Sequence, residues 1–168
     1  MSLLAIRRFP DPVLKRPTQP VVRVDDGVTR LIAALVEAMR RHRRCVGLAA
    51  PQVGSSLRLA VMDASANPKA SPVNHGLLIL VNPQIAAREG AVLQREGCLS
   101  IPDLTANVRR AARVHLKAFD RFGSAREWWL EGFEAIVAQH EVDHLDGTLF
   151  LDQVTNAKTD VFTRKDYG

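Results

Sequence analysis

Aromatic residues make up only 5% of these 168 residues. Aliphatic side chains must therefore fill most of the core, and the chain lacks a stacking platform for single-stranded nucleic acid. Cysteine is nearly as scarce: Cys45 and Cys98 are too few for a disulfide framework of the kind that staples small secreted proteins. No apolar run approaches the ~18 residues of a membrane-spanning helix. The opening residues have no apolar signal segment and no small-residue cleavage site, so a cytoplasmic protein without a membrane partner is expected. Internal repeats and low-complexity stretches are also missing. What is present is an ordinary globular balance, 46% hydrophobic and 24% charged. The length suits one domain over residues 1–168, with 153–168 as a short tail.

The net charge is +5, and much of the excess sits in Arg40, Arg41, Arg43 and Arg44. That run could serve a nucleic-acid partner, but at the end of a helix it also complements the macrodipole. A helix is expected there. Asp25 and Asp26 offer N-cap oxygens, and Val28, Leu31, Ile32, Leu35 and Met39 recur at helical spacing up to about Arg41. The proline-rich opening (Pro10, Pro12, Pro17, Pro20) reads as irregular chain. Leu57 to Met62 and Leu77 to Val81 read as buried strands, with a loop at 67–76. Arg113 to Ala118 alternates as a half-solvated strand, and 121–124 turns the chain into Trp128-Trp129-Leu130. A second helix is expected from about Phe133 to Leu145, with Gly147 as its C-cap and a last strand over Thr148 to Leu151. The order is α+β: mostly antiparallel strands packed around a central metal-binding helix, preceded by an N-terminal helix.

The chemistry concentrates in that second helix. His140 and His144 stand four residues apart, so both project from one face and can bind one metal ion. Glu141 lies beside them, placed to take a proton from water. Phe133, Ile136 and Val137 form an apolar stripe that the histidines continue, so the imidazoles should point inward. Two hydrogen-bonded core histidines would be the ordinary alternative. A third ligand is needed, and neither His nor Glu follows His144, which excludes the downstream ligands of common HExxH proteases. Cys98, in Glu96-Gly97-Cys98-Leu99-Ser100, would complete the set as thiolate and leave a position open; its other reading is a small buried hydrophobe. In the third segment, Cys45 to Gln52, the Gln52 amide is a candidate oxyanion donor.

Together, Cys45-Val46-Gly47-Leu48-Ala49-Ala50-Pro51-Gln52, Glu96 to Ser100 and Gln139-His140-Glu141-Val142-Asp143-His144-Leu145-Asp146-Gly147 resemble the three motifs of the peptide deformylases. Order and separations also agree. The resemblance runs from the opening Pro-Asp-Pro-Val-Leu to Leu149-Phe150-Leu151, nearly the whole chain. It implies a hydrolase that removes formyl groups from N-formylmethionyl peptides with release of formate. It implies Cys98, His140 and His144 as ligands to a divalent metal, Fe2+ first, with Zn2+, Ni2+ or Co2+ as substitutes. Glu141 would be the general base and acid, with Gln52 and the N–H of Leu99 as oxyanion donors. The substrate would lie extended against Val46, Gly47 and Gly97, its methionine held by Val46, Phe133, Ile136, Val137 and His140. A transient encounter with the ribosome is implied, but the longer C-terminal helix of some relatives is not evident.

Three positions depart from the family pattern. Cys45 replaces a glycine and places an oxidation-sensitive thiol near the cleft. Gln94 stands where an apolar residue is common. Thr105 stands where an arginine often contacts substrate, a contact expected from Arg109 or Arg110 instead. Two other functions compete, a general HExxH metallopeptidase and a basic ribosome- or RNA-binding paralogue with a structural metal.

Overall fold

The Asp25 carboxylate accepts a hydrogen bond from the Val28 N–H at 2.9 Å. It thereby satisfies one of the unpaired donors that open helix α1 (Asp26–Arg41). Val28, Ile32, Leu35, Ala38 and Met39 are buried on one face of α1, and Arg40 and Arg41 occupy its last turn. The structure is a computed structural model and describes residues 4–165.

Two antiparallel sheets follow. The first has the order β1 (Gly47–Ala49), β2 (Leu59–Asp63), β3 (Leu77–Glu89), β6 (Arg113–Phe119) and β7 (Ala125–Glu131). The second pairs β4 (Val92–Cys98) with β5 (Ile101–Arg110), and β5 with β8 (Val161–Thr163). Helix α2 (Gly132–Leu145) packs against β1, β2, β3, β6 and β7. A short helix α3 (Ala157–Asp160) leads into β8. Aliphatic side chains from both faces of the first sheet fill the core. Leu80, Leu116, Leu130, Val137 and Val142 pack together on one side, and Leu35, Leu48, Leu59 and Val61 pack with α1 on the other. Each such side chain contributes about 1.5–3 kcal/mol on full burial.

The architecture is α+β with the second helix at its centre, as expected, but α2 is not a one-striped helix. Glu134, Ala135, Ala138, Gln139, Glu141 and Val142 are buried together with Ile136, Val137 and His144. Alanines at 135 and 138 let strands approach the faces that an amphipathic helix would leave to water. Gly147 ends this region at φ +74, and a Cβ there would lie 2.8 Å from the Arg16 backbone carbon. Glycine is required on both counts.

Several elements differ from the sequence reading. Thr148 to Leu151 is not a strand; Phe150–Gln153 forms a 3-10 turn. β2 begins at Leu59, and β3 continues past Val81 to Glu89 through register shifts at Val81/Gln84 and Ile85/Ala87. These bulges absorb Pro83, which would otherwise end a ladder. The whole second sheet was unforeseen. β4 is an edge strand with a mostly solvated pattern, and the period-2 buried row of β5 is Ala106, Val108 and Arg110, which a hydrophobicity reading breaks at the arginine. The tail, read from the sequence only as a short segment over 153–168, contributes β8.

Candidate active site

Cys98 ends β4 where the ladder to β5 shifts register between Gly97 and Cys98, a bulge that re-aims the side chain. Its Sγ lies 3.2 Å from His144 Nε2. The His140 and His144 rings sit one helical turn apart with centroids 5.0 Å from each other. The ligand-capable atoms of Cys98, His140 and His144 all lie within 4.8 Å of one another. Burial disfavours the Cys98 thiolate, but the two imidazoles outweigh it and hold the thiol well below its usual range.

His140 is oriented from behind. Its Nδ1 is 2.8 Å from Glu96 Oε2, which commits that nitrogen and leaves Nε2 for the cluster. Glu96 in turn accepts from Arg110 Nε at 2.6 Å and Nη2 at 3.0 Å, and Arg110 also pairs with Asp143. Arg110 is therefore a buried support for the site and not a substrate contact, and Arg109 does not line the cleft. Burial alone would raise the Glu96 pKa, but hydrogen bonds from His140 and Arg110 hold it at about 2. A depressed carboxylate pKa means stability that is present above the unfolded value, about 4.3, and is lost as pH falls toward the folded one. Metal-free protein should thus lose about 3 kcal/mol as pH falls from roughly 4.5 to below 2, and Glu96→Gln should flatten that segment of the stability curve. Denaturant titration across this range measures it; equal slopes for both proteins would refute the assignment.

Glu141 sits on the cleft floor, 3% exposed. Its Oε2 has no hydrogen-bond partner among the described residues. Burial pushes its pKa up to about 7 against the pull of His140 and His144, the range suited to a group that accepts and returns a proton near neutral pH. Gly47 makes room for it. A Cβ at position 47 would stand 2.2 Å from Glu141 Oε1 and 2.7 Å from its carboxyl carbon. Gly47→Ala should displace this carboxylate and lower kcat by about 10–100-fold, as misplaced catalytic groups do, with little change in Tm. A variant as active as the wild type would show that the close approach is unimportant.

Gln52 follows from β1 in the 3-10 turn Ala50–Val53 and is 2% exposed. Its Oε1 accepts from the Ala49 N–H at 3.0 Å, which turns the amide nitrogen toward Cys98 Sγ at 3.4 Å and Ser100 Oγ at 3.2 Å. Leu99 opens the two-residue turn between β4 and β5. Cys45 is different from Cys98. Its thiol donates to the Gly47 carbonyl at 3.1 Å, and burial pushes its pKa up to about 12. A thiol held protonated is a poor target for oxidation, which removes the basis of the sensitivity expected at this position.

These groups share a cavity of ≈ 510 Å³. Its lining includes every substrate-binding residue expected from the sequence: Val46, Gly47, Gly97, Phe133, Ile136 and Val137. Gln52, Cys98, Leu99, His140 and Glu141 line it too, as does Gln94. Sequence reasoning missed the supporting roles of Glu96, Arg110, Asp143 and Ser100. The one available signal was opposite charges at Glu96 and Arg110 inside otherwise strand-compatible segments.

The polypeptide deformylase family model matches residues 3–160. The chain belongs to the peptide deformylase family. A peptide deformylase of Thermodesulfovibrio yellowstonii is 39% identical over 165 residues, 98% of this chain and 97% of that one. A Legionella pneumophila deformylase structure superposes with a TM-score of 0.83 at 39% identity, covering 94% of this chain and 89% of that one. A Met-Ala-Ser-bound deformylase of Acinetobacter baumannii gives 0.84 at 33% identity, over 91% and 99% of the two chains. Neither the general metallopeptidase nor the nucleic-acid module draws support from these deformylase relatives. Among the described residues no helix is long and apolar enough to cross a membrane.

Proposed function

We propose that this deformylase hydrolyses the formyl group from N-formylmethionyl N-termini of nascent polypeptides, releasing formate, and that it acts in the cytoplasm where such chains emerge from the ribosome. The observation that carries the reading is the convergence of Cys98, His140, Glu141 and Gln52 on one cleft, with His144 against Cys98 beside it.

The donor set fits a divalent transition metal. One thiolate and two imidazoles make a borderline-soft site, the His140 Nε2 is left for it by Glu96, and three protein ligands are the number found in catalytic centres with an open position. We assign Fe2+ to it, with Zn2+, Ni2+ or Co2+ as substitutes. Such an ion, when bound, supplies Lewis acidity toward water and the formyl carbonyl. The remaining work falls to the chain. β1 and β4 are the edges of their respective sheets, and Gly47 and Gly97 present both edges to the cleft. An extended peptide can add to them as a strand. Val46, Phe133, Ile136, Val137 and His140 hold the methionine side chain. Glu141 takes the proton of the attacking water and returns one to the leaving amine. The Gln52 amide and the Leu99 N–H stabilise the oxyanion, each worth about 3 kcal/mol. Anaerobically purified protein should contain about one iron per chain, as a three-ligand site requires, and release formate from formyl-Met-Ala. Metal-replete protein that leaves this peptide intact would overturn the reading.

A further inference from the structure

The mouth of the cleft is lined by Arg43, Arg44, Lys69, Arg95, Arg164 and Lys165. None of the six forms an ion pair with a carboxylate among the described residues. The two carboxylates in the lining are committed elsewhere, Glu96 to Arg110 and His140, and Glu141 lies on the floor. Arg164 is brought against Gly97, on the peptide track. Strand β8 pairs Phe162 with Thr105, and Thr105 pairs with Gly97, so three strands run in register across this row. The Arg164 N–H then donates to the Asp103 carbonyl at 2.8 Å, and its side chain crosses Thr105 to reach Gly97. A Cβ on Gly97 would lie 2.2 Å from Arg164 Nη2 and 3.2 Å from Cζ, with Thr105 Cγ2 at 3.4 Å. The glycine leaves the volume that the guanidinium occupies. Beside it, Arg95 stacks on Phe162 at 3.6 Å and donates to Asn107 at 2.8 Å, which holds a second cation against the same strand.

We infer that Arg164, delivered by the C-terminal strand and backed by Arg95, selects formylated peptides with an acidic side chain in the second or third residue. The inference rests on the proposed deformylase activity and specifies its substrate class. Strand addition puts successive peptide residues about 3.3 Å apart along β4, so the residues after methionine pass Gly97 and then Arg95. An aqueous-edge cluster of unpaired cations attracts a carboxylate there and repels an ammonium.

The test uses C-terminally amidated peptides, which carry no terminal carboxylate: formyl-Met-Xaa-Ser and formyl-Met-Ala-Xaa, with Xaa = Glu, Gln or Lys. The metal-loaded full chain should favour Glu over the isosteric Gln by about 10-fold in kcat/KM at low salt at one or both positions, with Lys lowest, and the ratio should contract as salt screens it. Arg164→Gln should bring the Glu/Gln ratio close to unity, and Arg164→Glu should reverse the preference toward Lys. Arg126→Gln, which removes a cation from the outer strand β7, should keep the wild-type ratio. If Glu and Gln peptides are cleaved equally, or if Arg164→Gln retains the full preference, the selectivity is overturned while the deformylase reading stands. If no formyl-methionyl peptide is cleaved at all, that reading fails first.

Discussion

Glu141→Gln is expected to lower kcat/KM for formyl-Met peptides by about 10²–10⁴-fold, the usual worth of a positioned general acid–base, while metal content and fold are unchanged. The substitution keeps shape and volume, so no cavity opens in the buried floor. It removes the proton acceptor and nothing that holds His140 or His144, whose partners are Glu96 and Cys98. A neutral amide also avoids the desolvation that raises the Glu141 pKa to about 7, so Tm should stay level or rise slightly. The informative comparison is rate against metal stoichiometry on the same sample. Retention of more than a tenth of the wild-type rate, with metal bound, would take the proton-transfer role from this residue.

Cys98→Ala is expected to fail differently, losing metal and activity together. A thiolate is the only anionic donor in the set, and two imidazoles alone leave an incomplete site. Loss of bound metal also removes the stabilisation that ligand binding adds, about 4 kcal/mol where free metal stands 1,000-fold above Kd, so the wild type's metal-dependent rise in Tm should vanish. Cys45→Ala makes the contrast. Burial holds its thiol protonated and its hydrogen bond goes to the Gly47 carbonyl, away from the Cys98–His140–His144 cluster, so metal content and rate should match the wild type. Stoichiometric iron in the Cys98→Ala protein would show that the third ligand lies elsewhere.

Much of the site was legible because its information is local. His140 and His144 share a face through helical periodicity alone, Asp25 caps α1 through a three-residue reach, and Gly147 marks the end of α2 through its own backbone conformation. The α1 stripe likewise needed only the spacing of its apolar residues. The second sheet was illegible for the converse reason. β4 and β5 are held by ladders and by a buried Glu96–Arg110 pair, and a charged pair looks like solvated surface until its two members are seen to meet. The tail was underestimated on the same ground: the three residues of β8 carry little periodic signal and become a strand because β5 offers them an edge.

By itself, then, the sequence determined which residues we assign to the chemistry: the paired imidazoles, the adjacent carboxylate, the thiol and the amide, each a matter of side-chain type at short spacing. The tertiary structure alone decided how they are tuned and what reaches them. Strand register and the bulge before Cys98 place Glu96 behind His140, Gly47 against Glu141 and Arg164 over Gly97, residues 44, 94 and 67 positions apart in the chain. Contacts at such separations depend on the pairing of whole strands and on packing around a helix buried on every side, and no local pattern of residues encodes them.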